Sequence, residues 1–252
     1  MKNILYTVCT TLFLSSCFIV ESNTKLEKTI PTKTNIDLNQ KIEISKNNNI
    51  TSNSWDKSKL DLARNQMEWS TIEKDILLAT NMVRTNPSLF AKEYIEPLLD
   101  KFDGNILVLE NKRILTQEGK SSYLEAIEFL KKQVPVNILE FSNGIRKASL
   151  DHVNDTGPKG LTQHEGSNKS TPWERLEKYG EWSGEISENI SFGTDDGIRV
   201  VIDLVTDDGV SDRGHRINIL DPKVKYVGIA CGPHSSYGIM CVQDFTSFYK
   251  EK

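Results

Sequence analysis

The end of the chain constrains its folding most. "VKYVGIAC" and "YGIMCVQDF" are two short runs of alternating character, with Val227, Ile229 and Cys231 in phase in the first and Ile239, Cys241 and Phe245 in phase in the second. A period of two argues for strands that bury one face. The connection "GPHSSYG" is turn chemistry, so the pair reads as a terminal hairpin. Cys231 and Cys241 sit symmetrically about its centre, where they could face each other across the ladder; two buried thiols are the alternative. A disulfide there would contribute roughly 2–3 kcal/mol.

Upstream the period lengthens to that of helices. Ser70 and Glu73 have capping-box spacing, and Ile72, Ile76 and Val83 follow on one face. Asn86-Pro87 restarts a helix through Phe90, Tyr94 and Leu98. "SSYLEAIEFLKKQV" reads as a third helix with the stripe Tyr123, Ile127, Leu130 and Val134. "NGIRKASLDHVNDTG" reads as a fourth, ending at Gly157. "STPWERLEKYG" is a short one, capped by Thr171 and Glu174 and stopped by Gly180. "EISENISFG" reads as a strand. Ile198, Val201, Ile202 and Val205 then mark another amphipathic helix. Helices first, then strands and helices mixed, then a hairpin, point to α+β layers rather than a doubly wound parallel sheet.

The N-terminal part has a different character. Lys2 precedes an apolar run from Ile4 to Leu14 that is too short to span a bilayer, and the run closes on "LSSC". This resembles a bacterial lipobox, so residues 1–16 read as a signal peptide and Cys17 as the lipidated residue. Residues 17–68, rich in Asn, Lys, Thr and Ser, read as that cysteine followed by a disordered tether. Residues 69–252 are the expected folded domain. The formal charge of −4 comes without a basic block, which argues against a nucleic-acid partner.

Four segments occur in order: "QHEGSNKSTPWERLEKYG", "GEISENISFG", "VTDDGVSDRGHRINIL" and "VGIACGPHSSYGIMCVQDF". Together they resemble the CAP superfamily of cysteine-rich secretory, antigen 5 and pathogenesis-related 1 proteins, on its bacterial side. With the lipobox and tether, the whole resembles a spirochaetal surface lipoprotein carrying such a domain. The resemblance implies a three-layer α-β-α sandwich with a cleft lined by two histidines and two acids. His164, Glu188 and His215 match three of these; Asp207 falls nearest the fourth, with Asp208 as competitor.

Such a set could bind a divalent metal, such as zinc, through His164 and His215. It could also move protons, or simply shape a groove. No cofactor is required by the pattern. There is no G-x-S-x-G elbow, and Ser187 reads as a strand hydroxyl, so no catalytic residue is assigned. His152 reads as a helix residue at a packed or exposed edge, and His234 as a solvated turn residue. One of Arg213 and Arg216 is expected to pair with local acids, and Trp173 and Tyr179 to pack a helix.

The reading that follows is a monomeric binding module, lipid-anchored in the cell envelope at the outer membrane surface. Its partners would be the membrane through the anchor and a host protein, lipid or sterol. A metal-assisted hydrolase using the same cleft is the alternative.

Overall fold

The computed structural model describes residues 54–252 and the two-residue strand β1 (Val20–Glu21). The expected signal peptide and lipidated Cys17 lie outside the described residues. Residues 54–68, read from composition as the end of a tether, carry the short helix α1 (Lys57–Leu60) and bury Leu60 and Ala63. Trp55 joins them by donating its ring N–H to the Met82 carbonyl at 3.1 Å. A few apolar residues in a polar run are enough to dock it, which bulk composition hides.

Helix α2 (Thr71–Thr85) opens on the expected box, Ser70 and Glu73 each accepting the other's backbone N–H. After α3 (Pro87–Phe90) the chain passes through a π turn (Ala91–Ile95) and a 3-10 turn (Glu96–Lys101). A small antiparallel sheet then appears that the periodicity did not foretell: β2 (Phe102–Asp103), β3 (Ile106–Val108) and β4 (Arg113–Leu115). Its strands are too short to show a period. In α4 (Lys120–Lys132), Tyr123, Ile127 and Leu130 are buried as expected, but Val134 lies beyond the helix end and is 70% exposed.

The rest builds the main sheet. Strand β5 (Glu140–Phe141) leads into α5 (Asn143–Thr156), which ends at Gly157. Helix α6 (Pro172–Tyr179) has its capping box on Thr171 and Glu174. Strand β6 (Gly180–Phe192), helices α7 (Gly197–Thr206) and α8 (Gly214–Leu220), and the hairpin β7 (Tyr226–His234) and β8 (Gly238–Glu251) complete the order. The sheet runs β1-β6-β8-β7-β5, antiparallel except for β5 beside β7.

Alternation along the hairpin sorts side chains into two layers. Val227, Ile229, Cys241 and Phe245 pack with α2 and α7 residues in the main core. Ala230, Met240 and Val242 face Val153 of α5 on the other side. The result is the α-β-α sandwich. One contact fixes the second layer closely: a Cβ at Gly228 of β7 would lie 2.2 Å from the Arg146 backbone nitrogen, so only glycine lets α5 approach this near. Cys231 and Cys241 stand opposite in the ladder and form a disulfide.

His234 departs from its expected solvated state, being 2% exposed. Its Nδ1 accepts the N–H groups of Ser236 and Tyr237, and its Nε2 donates to the Leu161 carbonyl. The ring therefore closes the turn from within.

Burying a Leu or Trp side chain stabilises by about 1.5–3 kcal/mol. A chain trimmed to 69–252 should therefore unfold about 2–4 kcal/mol more easily than one trimmed to 54–252, measured by urea titration. Equal midpoints would show residues 54–68 to be a passive leader.

Candidate functional site

Each sequence-selected histidine meets an acid. Helix α7 ends at Asp207, whose φ of 54° is left-handed, a conformation aspartate tolerates better than most side chains. That turn aims the carboxylate back at α8. Its Oδ2 accepts the His215 backbone N–H at 3.0 Å, and its Oδ1 accepts the ring Nδ1–H at 2.7 Å. Asp208 is committed elsewhere, accepting the Gln117 and Glu118 backbone N–H groups and the Ser122 hydroxyl. Asp207 is thus the acid at His215. The carboxylate selects the tautomer that leaves a lone pair on His215 Nε2.

The loop between α7 and α8 is held in place by charge. Arg213 forks onto Glu118 at 2.6 and 2.7 Å, and Arg216 forks onto Glu125 at 2.7 Å on both oxygens. Both arginines pair, where one was expected to, and both guanidinium groups are occupied.

The second pair is more deeply buried. His164 Nδ1 lies 2.7 Å from Glu188 Oε1. The other Glu188 oxygen accepts from Arg175, whose Nη1 also donates to the His164 and Ser170 carbonyls at 3.1 Å each. Glu188 is 1% exposed and Arg175 5%. Burial pushes the Glu188 pKa up, but the Arg175 charge and the His164 hydrogen bond outweigh it and hold the carboxyl at about 2.

Directly across the ladder from Glu188 stands Asp244, fully buried, with one oxygen accepting from the Ser149 hydroxyl at 2.7 Å. Burial first, and then the Glu188 charge, push Asp244 well above the usual carboxylate range. Asp244 and Arg175 are members the sequence reading missed. The available signals were a lone acid in the apolar run of β8 and an arginine on the packed face of α6. His152, placed at a helix edge by the sequence, is fully buried beside this group, its Nε2 donating to the Gln163 carbonyl at 3.0 Å. Ser187 is a buried strand residue opposite Phe245.

Strand β6 joins the two pairs. Glu188 holds His164 on the α5–α6 face, while its neighbour Asn189 turns to the opposite face and donates to the His215 carbonyl at 3.1 Å. A cavity of about 520 Å³ wraps the end of this strand, lined by Ile190, Ser191 and Phe192 in succession. His215 and Asp207 line it; Ile114, Leu115, Leu204 and Val210 give it apolar walls. His164 and Glu188 are not among its lining residues.

Among the described residues, no group of three or more His, Cys, Asp and Glu side chains is arranged to hold a metal ion. Asp207 is spent on orienting His215, and Glu188 on His164 and Arg175. Neither carboxylate is therefore counted as a direct ligand beside the histidines.

A model of the cysteine-rich secretory protein (CAP) family matches residues 106–245, more than half of the chain. The chain belongs to this family. The CAP match spans both histidine–acid pairs and most of the hairpin. Two solved structures are similar to this CAP chain. One is an extracellular protein containing an SCP domain from Bacillus anthracis str. Ames, 16% identical, with TM-score 0.36, over 53% of this chain and 40% of that one. The other is an outer surface protein from Borrelia burgdorferi, 19% identical, with TM-score 0.38, over 60% of this chain and all of that one. The CAP chain thus spans less than half the length of the Bacillus anthracis protein. No curated protein matches it in sequence.

The buried carboxyls give opposite pH dependences. Glu188 is depressed, so its contribution is present above its ordinary pKa and lost as pH falls towards about 2. Asp244 is raised, so stability falls as pH climbs from its ordinary value towards the folded one. Asp244→Asn should remove the second slope and leave the first, as read from urea midpoints across a pH series. Glu188→Gln should cost about 3–5 kcal/mol, because Arg175 stays buried without its counter-charge. A fall in stability above the ordinary carboxylate pKa that persists unchanged in Asp244→Asn would refute the assignment.

Proposed function

We propose that this protein is a cell-surface binding module that takes a small, largely apolar ligand in the cavity at the end of β6. One observation carries the reading: the cavity sets apolar walls beside polar groups, and among these the oriented His215 has an Nε2 with no hydrogen-bond partner among the described residues. Sites for small molecules generally combine these parts at this size. A hydroxyl or amide N–H on the ligand would donate to Nε2, and the remainder would lie along Ile114, Leu115, Ile190 and Leu204. A lipid, a sterol or an apolar side chain of a host protein all meet that description.

The anchor belongs to the same proposal. The lipobox-like "LSSC" would tether the chain by Cys17 to the outer membrane surface, presenting the cavity outwards. No helix among the described residues is long and apolar enough to cross a membrane. The protein would act as a monomer and need no cofactor.

The Asp207–His215 couple also favours a second reading. An imidazole fixed by a carboxylate, with its far nitrogen towards a cavity, is equipped as a general base. Hydrolysis of a bound ester or amide would then use a water placed by Nε2.

Titration of the full-length chain with a dansyl-labelled long-chain alcohol should give saturable fluorescence. Leu115→Asp at the exposed rim should weaken it about tenfold, equivalent to about 1.4 kcal/mol. His215→Ala should weaken it less and shift the emission to the red. Fluorescence that ignores both substitutions would reject the cavity as the binding site. Turnover of p-nitrophenyl esters abolished by His215→Ala would move the reading to the hydrolase.

A further inference from the structure

A second cavity, of about 470 Å³, shares no lining residue with the first. It lies between α5 and α6 and is lined almost wholly by polar side chains. Two of them, His152 and Arg175, are at least nine-tenths buried, and each has a nitrogen that nothing in the structure satisfies: His152 Nδ1 and Arg175 Nε. A buried polar atom without a partner is costly, and such atoms mark places where a ligand or a water completes the structure.

The chemistry of the two atoms is complementary. His152 Nε2 faces the Gln163 carbonyl and must carry the proton there. Burial lowers the pKa of His152 and keeps the ring neutral, so Nδ1 is a lone-pair acceptor. Arg175 Nε is a fixed N–H donor. A hydroxyl group both donates and accepts, so a ligand that carries several can serve each atom. An ammonium would lack the acceptor and a carboxylate the donor.

The rim supports a neutral ligand. Its carboxylates are already occupied: Asp151 by Lys178 and the Tyr179 hydroxyl, Asp155 by Lys159 and Ser167, Glu174 by Thr171. Asp151 and Asp155 are charge-paired with Lys178 and Lys159, and Glu174 is turned back onto its own helix cap. What remains open are amides. Asn154 has no side-chain partner among the described residues, and Asn168 uses only its oxygen, for the Ser170 N–H. Amides and hydroxyls match each other in both directions. The cavity volume lies in the range of small-molecule sites.

We infer that the α5–α6 cavity is a binding site for a neutral polyhydroxylated ligand, a hexose or the end of a neutral glycan, held by His152, Arg175, Asn154 and Asn168. This site is independent of the apolar cavity. Arg175 connects it to the buried core, because the same guanidinium holds Glu188 and the His164 carbonyl.

The test is saturation-transfer NMR on the full-length chain with glucose, galactose, mannose and N-acetylglucosamine, and with gluconate and glucosamine as charged controls. At least one neutral sugar should bind saturably in the millimolar range, with both charged controls silent. The double variant Asn154→Ala/Asn168→Ala, confined to exposed residues, should weaken binding about tenfold. Leu115→Asp should leave it unchanged, which separates this site from the apolar one. His152→Phe should abolish it; if that variant does not fold, the double variant decides. Absence of any neutral-sugar signal, equal binding of gluconate, or binding that survives the double variant would each overturn the inference.

Discussion

The pairing of Arg175 with Glu188 inside the sheet edge is the constraint on which the site is built. Both groups are almost fully out of water. A buried ion pair is worth having only if most of its remaining hydrogen-bonding capacity is used, and here all of it but the Arg175 Nε–H is. Glu188 takes His164, and Arg175 takes the His164 and Ser170 carbonyls. The loop before α6, the helix itself and strand β6 are thereby locked to one another. Across the ladder, burial and the Glu188 charge push the Asp244 carboxyl towards its protonated form, which limits the negative charge held beside Glu188. The polar interior therefore specifies one arrangement of helix against strand where an apolar interior would allow sliding.

From that lock the rest follows in order. Strand β6 carries Glu188 to one face and Asn189 to the other, and Asn189 holds the backbone of α8. Helix α8 presents His215, and the left-handed residue closing α7 presents the acid that orients it. The fold brings two histidine–acid pairs to one strand but gives them different surroundings. One pair lines a cavity with apolar walls. The other lies behind a polar one and is joined to it through Arg175. A charged residue near a cavity is not automatically available to a ligand. Arg213 and Arg216 flank His215 in the sequence, and in the fold both are engaged by Glu118 and Glu125.

Much of this is legible in the residues. The caps at Ser70 and Thr171, the stop at Gly180 and the facing cysteines are local signals, and local signals survive folding. The family segments name His164, Glu188 and His215 because the chemistry is written in short runs. The choice of Asp207 over Asp208 is not legible, since it turns on a single left-handed backbone conformation. Asp244 and Arg175 are hidden for another reason: a lone polar residue in an apolar element declares its partner only after the strands have paired. His234 shows the converse. Its turn sequence suggests solvent, yet the ring folds inward because two backbone N–H groups need an acceptor. The short sheet from β2 to β4 has too few residues per strand to leave a periodic trace, although it supplies one wall of the apolar cavity.

The bare backbone at Gly228 has a mechanical consequence. Helix α5 rests on β7 with no side chain between them, so the two cannot slip past each other without a backbone collision. The disulfide ties β7 to β8 in turn. Helix and hairpin must then behave as one rigid body.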